Sequence, residues 1–131
     1  MNTHSYLRAY MAGVLMPTWV LLIVLAIFAT GLMPVPFERL MVFPMAVVPN
    51  SWGIWNVLYH AIARKRRFAL GAWGALLPVI LIPAGLGLEQ SMGISLITPL
   101  YALSALPVIA AGYYLLWKHA VGFFNHVAGV E

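Results

Sequence analysis

The chain has no cysteine. That removes a disulfide framework, thiolate-held zinc and cysteine-bound iron–sulfur clusters in one step. Charge is the second scarcity. Of 131 residues, seven are Lys or Arg and three are Asp or Glu, so 8% are charged against 63% hydrophobic. A soluble domain carries about 25% charged residues, and so few charges cannot cover a core of this size in water. Disorder is excluded for the opposite reason, since so apolar a chain does not stay solvated. Lipid is the solvent that remains, and the sequence reads as an integral membrane protein.

Long apolar runs are what the sequence has in quantity. A bilayer core about 30 Å thick takes roughly 20 residues of helix. Four stretches reach that length, at about residues 10–33, 40–62, 68–88 and 94–117. The predicted fold class is all-α: an integral membrane four-helix bundle, one transmembrane domain over residues 1–131, with a kinked or discontinuous second helix. The runs are continuously apolar instead of alternating, which argues against a β-barrel. The first run exceeds a signal-peptide core of about 7–15 residues and is read as a retained helix. The tail from Ala120 to Glu131 is too short to span. It is expected to lie at the interface or to lengthen the fourth helix by a turn or two.

Lys and Arg accumulate in cytoplasmic loops. With the N-terminus inside, Arg8, Arg64, Lys65, Arg66, Arg67 and Lys118 all fall on the cytoplasmic side, leaving Arg39 outside beside Glu38. Both termini are therefore expected to be cytoplasmic, in a bacterial inner membrane. Spans two and three should form a tight hairpin about the basic turn Arg64-Lys65-Arg66-Arg67. That turn reads first as a topology determinant and second as a place for anionic lipid, since each basic residue near the surface is worth about 1 kcal/mol there. Nucleic acid is not an expected partner, because no domain stands behind the net charge of +4.

No Asp, Glu, Lys or Arg falls in the middle of any predicted span. Proton-coupled pumps and cation antiporters rely on such embedded charge. The polar residues that are embedded gather in the second span. Pro49 cannot donate to a carbonyl one turn back, and Asn50 and Ser51, which follow it, favour helix N-caps. The expectation is a break near the bilayer centre, with Pro49, Asn50, Ser51, Asn56 and Ser104 as a helix-break or ligand site. A half-helix N-terminus there would offer N–H groups to a solute. The competing reading makes the two asparagines packing glue between helices, each worth about 0.6 kcal/mol. Ser104 belongs to a small, weakly polar stripe on the fourth span (Thr98, Tyr101, Ser104, Ala105, Val108, Gly112) at helical spacing. Asn50 and Ser104 are expected to face each other or one cavity. Gly71, Gly74 and Ala75, and likewise Ala9 and Gly13, are expected to let helices approach closely.

Trp52, Trp55 and Tyr59 share a helical face with Asn56. Lipid-facing packing is the first expectation for this aromatic face, and a flat pigment, quinone or lipid the second. No metal and no cofactor is expected. A haem held by His60 and His119 is the alternative, since imidazole suits iron. His119 and His126, about 10 Å apart along a helix, are too distant to share a metal. No nucleophile–base set is recognisable, so the chain is read as leaning away from enzymes. The leading functional expectation is non-enzymatic: a small subunit, accessory factor or homo-oligomer that packs against lipid and against other membrane chains or itself. An oligomeric conduit or carrier for an uncharged or anionic solute at Pro49-Asn50-Ser51 is the alternative. A lipid-, pigment- or quinone-binding protein comes third.

Overall fold

A computed structural model describes residues 2–34, 36–37, 41–93 and 98–130. Helix is the only regular structure among them, arranged as four helical stretches. The first is α1, Thr3–Ala29. The second opens with a π-helical segment, Met41–Val47, becomes regular in α2, Val48–Leu58, and widens again at Tyr59–Ala63 before a 3-10 turn at Arg64–Arg66. The third is α3, Leu70–Ser91. The fourth is α4, Pro99–Leu116, which runs on through a π-helical segment, Trp117–Val121, into α5, Gly122–Val127. The expected positions of Glu38 and Arg39, and the expected start of the fourth span at residue 94, lie outside the described residues.

Three of the helices are long and apolar enough to cross a membrane: Thr3–Ala29, Leu70–Ser91 and Pro99–Val127, with hydropathies of 2.4, 1.8 and 1.5. Helix α1 begins at Thr3 instead of about residue 10. The side chain of Asn2 accepts from the Ser5 N–H at 2.9 Å, and capping sets where a helix starts. Apolarity sets only the stretch that lipid can cover. The tail takes the second of its two expected forms and lengthens the fourth helix.

The second helix is not discontinuous at Pro49. This residue sits in the first turn of α2, which follows the π-helical segment without a gap, and the helical winding carries on through its missing N–H. Asn50 and Ser51 do not cap a new helix. They turn back, Asn50 Nδ2 donating to the Ala46 carbonyl at 2.6 Å and Ser51 Oγ to the Val47 carbonyl at 2.8 Å. The wider π-helical winding before α2 accommodates Pro44, and such segments are local adjustments of one helix, not breaks.

The basic turn is as tight as expected. The Phe68 N–H donates to the Ala63 carbonyl and the Arg67 N–H to the Arg64 carbonyl, each at 3.0 Å. This is the paired pattern that ends a helix on a left-handed residue. Arg67 takes that position with φ of 57°, where glycine would be free of steric cost.

Helix α1 packs chiefly on α2, and α3 on α4. Both contacts close over glycine. A Cβ on Gly13 would lie 2.6 Å from the Trp52 carbonyl oxygen, and one on Gly74 only 2.0 Å from Cγ of Trp117. Gly71 lies against Tyr114 less tightly, with a Cβ position 3.0 Å from its ring. The two pairs meet in a buried cluster of Trp52, Leu77, Leu81, Trp117 and Val121. Small residues face inward, as Ala9, Ala12, Gly13 and Pro17 do on α1. On the same helix Met11, Leu15, Trp19, Leu22 and Ile23 are 41–61% exposed, the reverse of the pattern of a water-soluble helix.

Replacing Gly74 by Ala is expected to destabilise the fold by about 1–3 kcal/mol, the usual cost of overpacking. Gly87→Ala, whose Cβ meets nothing within 4 Å, is expected to leave stability unchanged. Unfolding of both variants in detergent micelles by sodium dodecyl sulfate, followed by circular dichroism, checks the difference.

Candidate functional site

The most buried polar groups lie together near the basic end. Asn56 and Asn125 are fully buried. Asn56 Nδ2 donates to the Ala9 carbonyl at 2.7 Å and to Asn125 Oδ1 at 2.6 Å, and Asn125 Nδ2 donates back to Asn56 Oδ1 at 3.2 Å. One amide on α2 thus reaches the backbone of α1 and the side chain of α5 at once. An unpaired amide is costly in so apolar a setting, so the pair holds three helices in register. The tail is tied down further out: the Val130 N–H donates to the Asn125 carbonyl at 3.1 Å, and Arg64 Nη1 donates to the Val130 carbonyl at 2.8 Å.

His60 lies one turn beyond Asn56 and is 3% exposed. Neither of its ring nitrogens has a hydrogen-bond partner among the described residues, and Tyr59 meets it edge-on at 5.2 Å between centroids. His119 is exposed, so the two histidines weighed for haem sit in unlike environments. Among the described residues no three His, Asp or Glu side chains are grouped to hold a metal ion.

The aromatic face of α2 does not point at lipid. Trp52 is buried, with its ring 5.0 Å from that of Tyr113 and 5.3 Å from that of Trp117, and its Nε1 donates to the Tyr113 hydroxyl at 3.3 Å. Trp55 stacks on Trp73 at 4.6 Å, and each indole N–H donates to the other residue's carbonyl, at 2.8 and 3.0 Å. Tyr59 is buried too. The chain's own rings fill this face, because the close approach at Gly74 carries Trp117 into it. Rings stacked with offset faces and paired N–H groups gain more than burial alone supplies.

The expected helix-break site is dispersed. Tyr10 donates its hydroxyl proton to Asn50 Oδ1, so this amide is shared between a neighbouring helix and its own. Ser104 is exposed and donates to the Tyr101 carbonyl at 2.9 Å. The expected facing of Ser104 and Asn50 does not form, because α4 lies along α3 and turns Ser104 outward. Asn56, expected beside them, belongs to the amide pair instead. Arg64, Lys65, Arg66 and Arg67 are exposed at the turn. Through Arg64 and Val130 they share one end of the molecule with the C-terminal tail.

Sequence reasoning missed Asn125, Trp73 and Tyr10 as partners. Asn125 carried a signal: a lone amide between Phe124 and His126 in an otherwise apolar tail needs a partner if it is buried. Replacing Asn56 by Leu strands the amide of Asn125 and is expected to cost about 1–3 kcal/mol. Replacing both by Leu is expected to cost less than the two single changes added together. Thermal unfolding of the three variants in micelles measures the coupling.

Compared with known proteins, the chain matches no family model, no curated protein and no solved structure.

Proposed function

We propose that this chain is an integral membrane four-helix bundle that acts without catalysis, by packing against other membrane chains or copies of itself through the outer face of α4. The observation that carries the reading is that α4 has no buried residue along its whole length, Pro99–Leu116. Its stripe of small and weakly polar residues lies on the side away from α3. Tyr101 is 68% and Val108 76% exposed, Ser104 is exposed, and a Cβ on Gly112 would meet nothing within 4 Å. Lipid tails are as apolar as leucine, so a helix that faced lipid alone would gain nothing from Gly and Ser there. Small residues matter where another helix comes close.

Two further features support the membrane setting. Many large apolar side chains lie outside, while Asn56 and Asn125 lie inside and are paired. The basic residues Arg8 and Arg64–Arg67 share an end with the tail, which fits both termini on the cytoplasmic side. The Pro49-Asn50-Ser51 segment has spent its polar groups on neighbouring backbone and on Tyr10, so nothing favours a solute there.

Crosslinking in native membranes, followed by mass spectrometry, tests the packing reading. A specific partner, or a second copy, is expected through α4. Its capture should fall at least about tenfold in a Ser104→Leu, Gly112→Leu double variant, as expected when close helix approach is blocked. Unfolding of that variant should match the parent. Unchanged capture would overturn the assignment of this face. Orientation has its own test, since a chain without cysteine is already the background for single-cysteine labelling. Lys65→Cys and His126→Cys are expected to react with a membrane-impermeant maleimide from the same side, and Gln90→Cys from the other.

A further inference from the structure

A groove of about 530 Å³ runs along the surface between α1 and α5 at the basic end. Its α1 wall is Arg8, Met11, Ala12 and Leu15, spaced three and four residues apart on one helical face. Its other wall includes Phe124, Val127 and Gly129. Apart from Arg8 the lining carries no charged residue. Arg8 is exposed and makes no hydrogen bond or ion pair with any described residue. Its Nη1 lies 3.9 Å from where a Cβ on Gly129 would be, so the guanidinium sits over the end of the groove with its donors free.

We infer that this groove binds one anionic phospholipid, with its phosphate on Arg8 and an acyl chain along Met11, Leu15, Phe124 and Val127. The inference rests on the membrane-spanning reading of the chain and goes beyond its packing role. A free guanidinium is a two-pronged donor that matches phosphate oxygens. From Arg8 the apolar wall continues to Leu15, about 10 Å along α1, so charge and apolar surface lie in the order in which a lipid presents them. Inorganic phosphate would leave that wall uncovered. A neutral lipid would gain less from Arg8 and from the basic turn at the same end, where each charge favours anionic lipid.

Native mass spectrometry of the whole protein, released from non-ionic micelles containing equal amounts of phosphatidylglycerol and phosphatidylcholine, tests this. One retained phosphatidylglycerol is expected. Its retention should fall about tenfold in Arg8→Gln, the loss expected for one charge-assisted pair. Lys65→Gln, which removes the same charge away from the groove, should change it little. Arg8→Gln removes an exposed side chain without a protein partner, and circular dichroism verifies its helicity. A Leu15→Ser variant, which keeps the charge, should also lose retention. Equal retention of the two lipids, equal losses in Arg8→Gln and Lys65→Gln, or displacement by millimolar inorganic phosphate would each overturn the assignment. Retention of neither lipid would overturn the groove assignment alone, as would equal retention of both, because the membrane setting is tested separately by the maleimide labelling.

Discussion

The indole of Trp117 occupies the space in which any side chain on Gly74 would stand, and the rest of the structure depends on that intrusion. It draws α4 onto α3 at backbone distance. It also carries the largest side chain of the fourth helix into contact with Trp52 on the second. From there the helix continues past Val121 and delivers Asn125 to Asn56. The same device holds the other pair, where Gly13 admits the backbone of α2. Two close approaches over glycine therefore give two helix pairs, and Trp117 joins them together with the Trp55–Trp73 stack and the amide pair. In a bilayer, where no hydrophobic drive acts between helices, close packing and shared hydrogen bonds of this kind are what supplies the attraction.

Polarity is distributed to match. The amides of Asn56 and Asn125 and the indoles of Trp52 and Trp117 lie inside, while many Leu, Ile and Met side chains lie outside. Several hydroxyls and one amide bond back to a carbonyl three or four residues earlier in their own helix, as Thr18 does to Val14 and Ser51 to Val47. Such bonds hide a polar group within the helix at little cost to the backbone. His60 and the indole N–H of Trp117 stand apart, buried without a hydrogen bond among the described residues.

Much of the architecture was legible because it depends on composition and spacing. The apolar runs, the tight basic turn, and the glycine patches at Gly71, Gly74 and Gly13 are local facts that can be read residue by residue. What failed depended on rotation and pairing. Whether Trp52 faces lipid or a neighbour is decided by which helix sits beside it, and no periodicity states that. Pro49 reads as a break when considered alone, but helical winding continues through it from the π-helical segment into α2. Ser104 was expected to face Asn50 and instead lies exposed on the far side of its helix, since the direction of a side chain follows from which helices pack beside it. Asn125 escaped notice because the tail looked too short to matter.

The amide pair also has an order in time. Asn56 finds the backbone of α1 as soon as two helices exist, but Asn125 lies 69 residues further along the chain and is translated later. Until the segment that carries it is made, Asn56 stands with one of its two partners missing. Arrival of α5 is thus what latches the earlier helices. A copy in which α5 is absent or undocked would present an open, polar seam, the kind of flaw by which quality control can tell unfinished proteins from finished ones.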